Sequence, residues 1–178
     1  MKKSIFLPLV TIVVATAILL CCAFGLQKVA TANAQAEHLR LMQTLLPGSE
    51  SFILETYTGE DANIRSVHKA DNGFVIETAT QGYADEIVML IGVSNEGSVT
   101  GLVVKEMHET YGLGLEALTD WEFLAQFLWT EGDAAIGEGI DAITGATVTS
   151  KAITRCVNSA VAYVTGADAD SGATSWEG

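Results

Sequence analysis

Apolar and polar positions divide this chain into stretches of different period. From Ile5 to Leu26 no charged residue occurs, and a run of that length is enough to cross an apolar layer of ~30 Å. Residues 1–26 are therefore expected to form an N-terminal transmembrane helix that anchors the chain. Gln27 to Leu46, rich in Ala, Gln and Leu, reads as a stalk helix and closes at Pro47-Gly48, a helix-stopping pair. The period then changes. Ile64 to Lys69 and Phe74 to Thr78 flank Asn72-Gly73, a strong hairpin signal, and Glu86 to Val93 and Val99 to Met107 meet at Asn95-Glu96-Gly97, where glycine suits a positive φ. Thr119-Asp120-Trp121-Glu122 has capping-box spacing, and Phe123, Leu124, Phe127 and Leu128 form one helical face behind it. Gly132 to Gly139 is a small-residue loop. The last helix starts near Thr147 to Ser150 and carries Ile153, Val157, Ala160, Val161 and Val164 on one side. Beyond Gly166 the tail has little to bury and is expected to be disordered.

This order predicts an α+β fold, an antiparallel sheet flanked by helices and preceded by one transmembrane helix. The domains are the anchor (1–26), the stalk helix (27–48), a folded domain (49–166) and an acidic tail (167–178). A length of 178 residues leaves room for one such domain plus an anchor. Lys2 and Lys3 precede the span, and positive flanks stay cytoplasmic, so the folded domain belongs on the extracytoplasmic side of the cell's inner (cytoplasmic) membrane; Lys28 and Arg40 weaken that contrast. Two competing readings stay open. Ala30-Thr31-Ala32 and Ala32-Asn33-Ala34 would serve as signal-peptide cleavage sites, and Cys21 or Cys22 as a lipidation site, although the residue before either is not small.

Composition narrows the function classes. The net charge of −13 repels nucleic acid and anionic lipid headgroups. Cys156 is the one cysteine outside the apolar run, so neither a disulfide framework nor a thiol-ligated cluster can be built, and His108-Glu109 lacks the second histidine of a zinc-protease helix. No metal site is expected.

Two segments carry candidate chemistry. The first is Asp141-Ala142-Ile143-Thr144-Gly145-Ala146-Thr147-Val148-Thr149-Ser150, which leads straight into the last helix. On its own, such a run can be a glycine turn capping a helix. The second runs from Gly82-Tyr83 through Ile87, Leu90, Gly92, Gly97, Val99 and Gly101 to His108-Glu109-Thr110-Tyr111-Gly112-Leu113-Gly114. Together they resemble the FMN-binding domain family over roughly Ile64 to Val164, and within it the G subunits of Rnf-type electron-transport complexes. There a threonine hydroxyl carries FMN through a phosphoester, and a His-Glu-Thr-Pro-Gly-Leu-Gly loop packs near the flavin. Here Tyr111 replaces the proline.

The resemblance implies an FMN-binding domain over 49–166 with FMN covalently attached to Thr147, and with Thr144, Gly145, Ala146 and Thr149 around the phosphate. It places Glu109, Thr110, Gly112, Leu113 and Gly114 in the isoalloxazine or ribityl surroundings; His108 is either part of these or a polar residue at a strand end. The physical reasoning agrees. Gly145 and Ala146 offer a thin backbone, Thr147 stands where free N–H groups and the positive helix end face an anion, and Thr149 and Ser150 can donate or cap. Asp168-Ala169-Asp170-Ser171-Gly172-Ala173-Thr174 fits the same loose pattern but has no helix after it, which favours Thr147. Trp121 and Trp129 read as packing or interfacial groups, and Trp176 has no assignment.

By the same resemblance the chain is expected to be an electron-carrying flavoprotein subunit of a membrane-bound, Rnf-type ion-translocating ferredoxin:NAD oxidoreductase. Its partners would be the other membrane and iron–sulfur subunits and, during maturation, a flavin transferase. No catalytic group of its own is needed. The alternatives are a stand-alone anchored FMN carrier, the C subunit of a sodium-pumping quinone reductase, and an anchored binding module without redox chemistry.

Overall fold

A computed structural model describes residues 3–107 and 120–167. The His108–Gly114 loop, Thr119, the Thr174 string and Trp176 lie outside the described residues. Two compact units are distinguished, Met1–Arg40 and Leu41–Gly178.

Helix α1 runs without a break from Lys3 to Leu45. In the first unit it presents Ile12, Val14, Ile18, Leu19 and Leu20, each more than half exposed. Among the described residues no helix is long and apolar enough to cross a membrane, so the structure does not show the expected span; much of the run from Ile5 to Leu26 falls on side chains outside the described ones.

The second unit begins at Leu41 rather than at Ser49, where the sequence reading put the folded domain. The last turn of α1 belongs to it. Met42, Leu45 and Leu46 are buried with Ala70, Val75 and Leu90 as a small core on one face of the sheet. That sheet has five strands in sequence order, β1 (Ile53–Glu55), β2 (Ile64–Ala70), β3 (Gly73–Gln81), β4 (Glu86–Ser94) and β5 (Val99–Met107), all antiparallel. Both expected hairpins form. The interior strand β4 is covered on both faces, which is why Ile87 to Val93 reads as an apolar run without alternation.

The first turn differs in detail from its sequence signal. Ala70 pairs with Gly73, so the turn residues are Asp71 and Asn72 and the glycine opens β3. Gly73 is needed for close approach: a Cβ there would collide with the Val93 carbonyl oxygen and stand 2.9 Å from the Ser94 Cα. In the second turn Gly97 does adopt a positive φ of 92°.

After the undescribed stretch come α2 (Trp121–Ala125), the parallel pair β6 (Ala135–Ile136) and β7 (Gly139–Ile140), and α3 (Thr147–Thr165). α2 is shorter than the apolar spacing suggests and is capped by Asp120 rather than Thr119. The chain leaves it because Trp129 N–H donates to the Val99 carbonyl (2.9 Å) and Val99 N–H to that of Thr130 (3.1 Å), a tie to β5 that no helix can make. α3 packs on β3 and β4 and closes the main core, where Ile153, Cys156, Val157, Ala160 and Val161 meet Ile76, Met89, Ile91 and Phe127. Phe127 is fully buried, and truncating such a side chain costs about 3–5 kcal/mol.

Candidate functional site

The segment Asp141–Ser150 forms the entry to α3, and three sets of contacts fix it. The Gln126 side chain clamps Asp141 from both sides, accepting from its N–H (2.7 Å) and donating to its carbonyl (3.4 Å). The Ala146 N–H then closes a turn onto the Ile143 carbonyl (3.0 Å), with Gly145 at φ 82° in the position where a type II turn needs a positive φ. Finally, Ser150 Oγ donates to the Ala146 carbonyl (2.9 Å) and accepts from the Ile143 N–H (3.2 Å). From behind, Asn158 Nδ2 holds the loop through the Ala134 carbonyl (2.9 Å).

These ties leave a particular surface open. Thr144, Gly145 and Thr147 are exposed, and Thr147 is the first residue of the helix. Ala146, at the N-cap, has no side chain to accept from the first turn, and no acid stands in that turn although the chain has 22 Asp and Glu against 9 Lys and Arg. The first α3 bond is from Ser150 N–H to the Ala146 carbonyl (2.8 Å), so the N–H groups of Thr147, Val148 and Thr149 precede it. A helix start normally draws a capping oxygen or an acidic residue. This one supplies neither, and it presents a free hydroxyl beside open donors. An anion esterified to Thr147 fits that arrangement.

Not every expected neighbour lies on that surface. Thr149 is 1% exposed and Ser150 fully buried, so their hydroxyls point into the domain rather than towards a ligand on Thr147. Ala146 is also buried and contributes its backbone. Glu109, Thr110, Gly112, Leu113 and Gly114 lie outside the described residues. Trp121 and Trp129, read as packing or interfacial groups, lie at the surface of the domain, 71% and 72% exposed, and Trp129 stands past the helix at φ 69°. Sequence reasoning missed Gln126 and the bracing role of Ser150. Nothing in the spacing announces the Gln126 clamp; the inward turn of Ser150 could have been read from Ile153, three residues on.

Two cavities border the unit. One, of about 600 Å³, is lined by Tyr57, Asp61, Asn63, Ser159 and Tyr163. The other, of about 590 Å³, is apolar and lies along β5 between Leu102, Val104, Met107, Trp121, Leu124 and Leu128. Among the described residues no group of His, Cys, Asp and Glu is arranged to hold a metal ion.

Comparison with known proteins gives a consistent set of relatives. The family model of the FMN-binding domain matches residues 82–162. The G subunit of the Na(+)-translocating ferredoxin:NAD(+) oxidoreductase complex of Acetobacterium woodii is 36% identical over 118 residues, 61% of this chain and 54% of that protein. Its counterpart in the proton-translocating complex of Clostridium ljungdahlii is 36% identical over 99 residues, 52% and 53% of the two chains. The chain thus spans about half the length of these two relatives. It matches the G subunit of the ion-translocating oxidoreductase complex of Methanosarcina acetivorans at 33% identity over 92% of this chain and 96% of that one. Among solved structures, NqrC of Shewanella oneidensis superposes over 71% of this chain and 73% of its own, with a TM-score of 0.46 and 20% identity.

Proposed function

Because the chain belongs to the FMN-binding domain family, alongside the G subunits of ion-translocating oxidoreductase complexes, we propose that it is an electron-carrying flavoprotein subunit of such a membrane-bound complex, with FMN covalently held by a phosphoester to Thr147. When bound, FMN supplies the redox chemistry. The protein supplies attachment, orientation and charge. One observation carries the assignment: the Thr147 hydroxyl is exposed at a helix start whose N–H groups have neither a capping side chain nor a neighbouring acid.

The Thr147 hydroxyl would act as a nucleophile once, during maturation, when a flavin transferase directs it onto the FMN phosphorus of FAD, so that the pyrophosphate bond breaks, AMP leaves and the hydroxyl proton is given up. Thr144 and Gly145 border the phosphate, and the N–H groups of the first turn neutralise its charge. Thr149 is assigned to the support of that turn from below. Glu109, Thr110, Gly112, Leu113 and Gly114 are assigned to the ring and ribityl surroundings on the resemblance of their motif. No catalytic acid or base is required, and the enzymatic activity belongs to the complex. Its other membrane and iron–sulfur subunits are the proposed partners, and electron flow between ferredoxin and NAD is its proposed reaction, as in the name of the Acetobacterium relative.

We place the chain in the inner membrane, with α1 as a single-pass anchor and the flavin domain on the extracytoplasmic side. The uncharged run from Ile5 to Leu26 and the exposed apolar side chains of α1 support this. Burial of such a face in lipid removes an exposure that water penalises.

Co-expression with a flavin transferase tests the reading. Intact mass should rise by one esterified FMN, and a denaturing gel viewed under ultraviolet light should show a fluorescent band at the chain's own size. A colourless chain of unmodified mass, in the presence of an active transferase, would return the turn to a plain helix cap and the protein to an anchored binding module.

A further inference from the structure

The cations of the second unit are unevenly employed. Arg65 pairs with Glu86, Lys69 with Glu55 (3.5 Å) and Lys105 with Glu77 (2.8 Å). Arg155 enters none of the ion pairs among the described residues, and its Nε is buried without a hydrogen-bond partner. Such a donor is costly to leave unmet, more so in a charged group. In a chain with so large an excess of acids, an arginine left out of every ion pair among the described residues stands available to an anion from outside them.

Its position on α3 indicates which anion. Thr147, Lys151 and Arg155 follow one another at intervals of four on one side of the helix, and between Thr149 and Val161 every position other than Lys151 and Arg155 is buried. At 1.5 Å per residue, Lys151 stands about 6 Å and Arg155 about 12 Å along the axis from Thr147. Helical side chains lean towards the N-terminus, which gives a long arginine stem at 155 the reach to turn back towards Thr147.

We infer that Arg155, seconded by Lys151, is the electrostatic positioning residue for the flavin on Thr147: its guanidinium faces the charge that reduction adds and holds the potential above the value the acidic domain alone would set. This rests on the Thr147 assignment. A fixed cation close to a flavin favours the reduced over the oxidised form. Arginine suits the task because it stays charged and offers a planar fork of donors.

The test uses the full chain, loaded by co-expression with a flavin transferase, with loading read from gel fluorescence, folding from thermal melts and potential from a spectroelectrochemical titration. Arg155→Met should load and fold as wild type while its preference for the reduced form falls about tenfold, about 30 mV lower for a two-electron couple. Arg155→Lys should recover most of that fall. A merely structural arginine would alter melting and leave the potential in place, so a loaded R155M at wild-type potential overturns the inference. If R155M fails to fold or load, Lys151→Met decides: a lowered potential supports the inference and an unchanged one overturns it. A wild-type chain that takes no flavin overturns the parent reading, and this one with it.

Discussion

Two helices start within the same domain, and they start differently. α2 opens on Asp120, whose carboxylate accepts from the Phe123 N–H (3.1 Å), and Glu122 adds a second acid to its first turn. α3 opens on Ala146, with no capping side chain and no acid. The short helix caps one of its first donors with its own side chain, whereas the long one caps none. α3 can tolerate an open start because its body is anchored elsewhere. Its inner face fills the main core, and its C-terminus is sealed by Gly166 in the left-handed conformation, with its N–H on the Ala162 carbonyl (2.8 Å). The contrast separates a helix end closed by its own side chains from one left without a cap, which is the end proposed to carry FMN.

The contrast should break most sharply at Thr147, the proposed attachment residue. Thr147→Ala should abolish the fluorescent band completely without changing the melting temperature of the unmodified chain, whereas Thr174→Ala should keep the band. Flavin persisting on T147A would transfer the site elsewhere.

A smaller but still large effect should mark the closed body of α3. Burial, with Asp61 and Glu86 adding to it, pushes the Cys156 thiol up to about 12 from an ordinary 9.0. The folded state therefore holds this proton more tightly than the unfolded state. The stability so gained is fully present below pH 9 and is lost as pH rises towards 12. Denaturant melts across that range should fall steeply for wild type and less for Cys156→Val. The native thiol should resist iodoacetamide at neutral pH while the first turn a few residues away is being modified.

The smallest effects compare the two starts directly. Asp120→Ala should cost about 1 kcal/mol in urea melts, the ordinary value of a lost cap. Ala146→Ser should stabilise the flavin-free protein by no more than about 1 kcal/mol, since the backbone at φ −122° and ψ 33° is not that of an ordinary cap. The same serine should slow flavin attachment in a timed loading assay, because its hydroxyl competes for the donors. An A146S chain that loads at wild-type rate would show that those donors are not used.

The sequence makes the sheet legible because period and turn chemistry agree: β2 to β5 and both hairpins follow from alternating or continuous apolar runs broken at Asn72-Gly73 and Asn95-Glu96-Gly97. The register of the first turn does not, since Asn-Gly also describes a glycine required by packing against Val93 and Ser94. The early end of α2 was hidden for a similar reason: Phe127 and Leu128 continue the helical spacing, and only the tie of Trp129 and Thr130 to Val99 overrides it. The parallel pair β6 and β7 consists of four residues in and just after the small-residue loop, too short to show any period. At the site, the exposed Thr147 and the glycine turn could be read. The inward hydroxyls of Thr149 and Ser150 were legible as well, had their phase relative to Ile153 been weighed instead of their hydrogen-bonding capacity.

Pro47-Gly48 looks like a swivel at the end of α1, yet both its flanks are fastened. Gly92 and Gly101 lie opposite each other in the sheet, and a methyl group on the first would strike the Leu45 carbonyl, while one on the second would lie 2.9 Å from it. Thr100 Oγ1 donates to that same carbonyl (2.6 Å), and Asn72 holds the Pro47 carbonyl (2.9 Å) from the other side. Pro47-Gly48 is therefore held against the sheet from both sides, and lengthening that turn should loosen the seat of the last turn of α1 on β4 and β5.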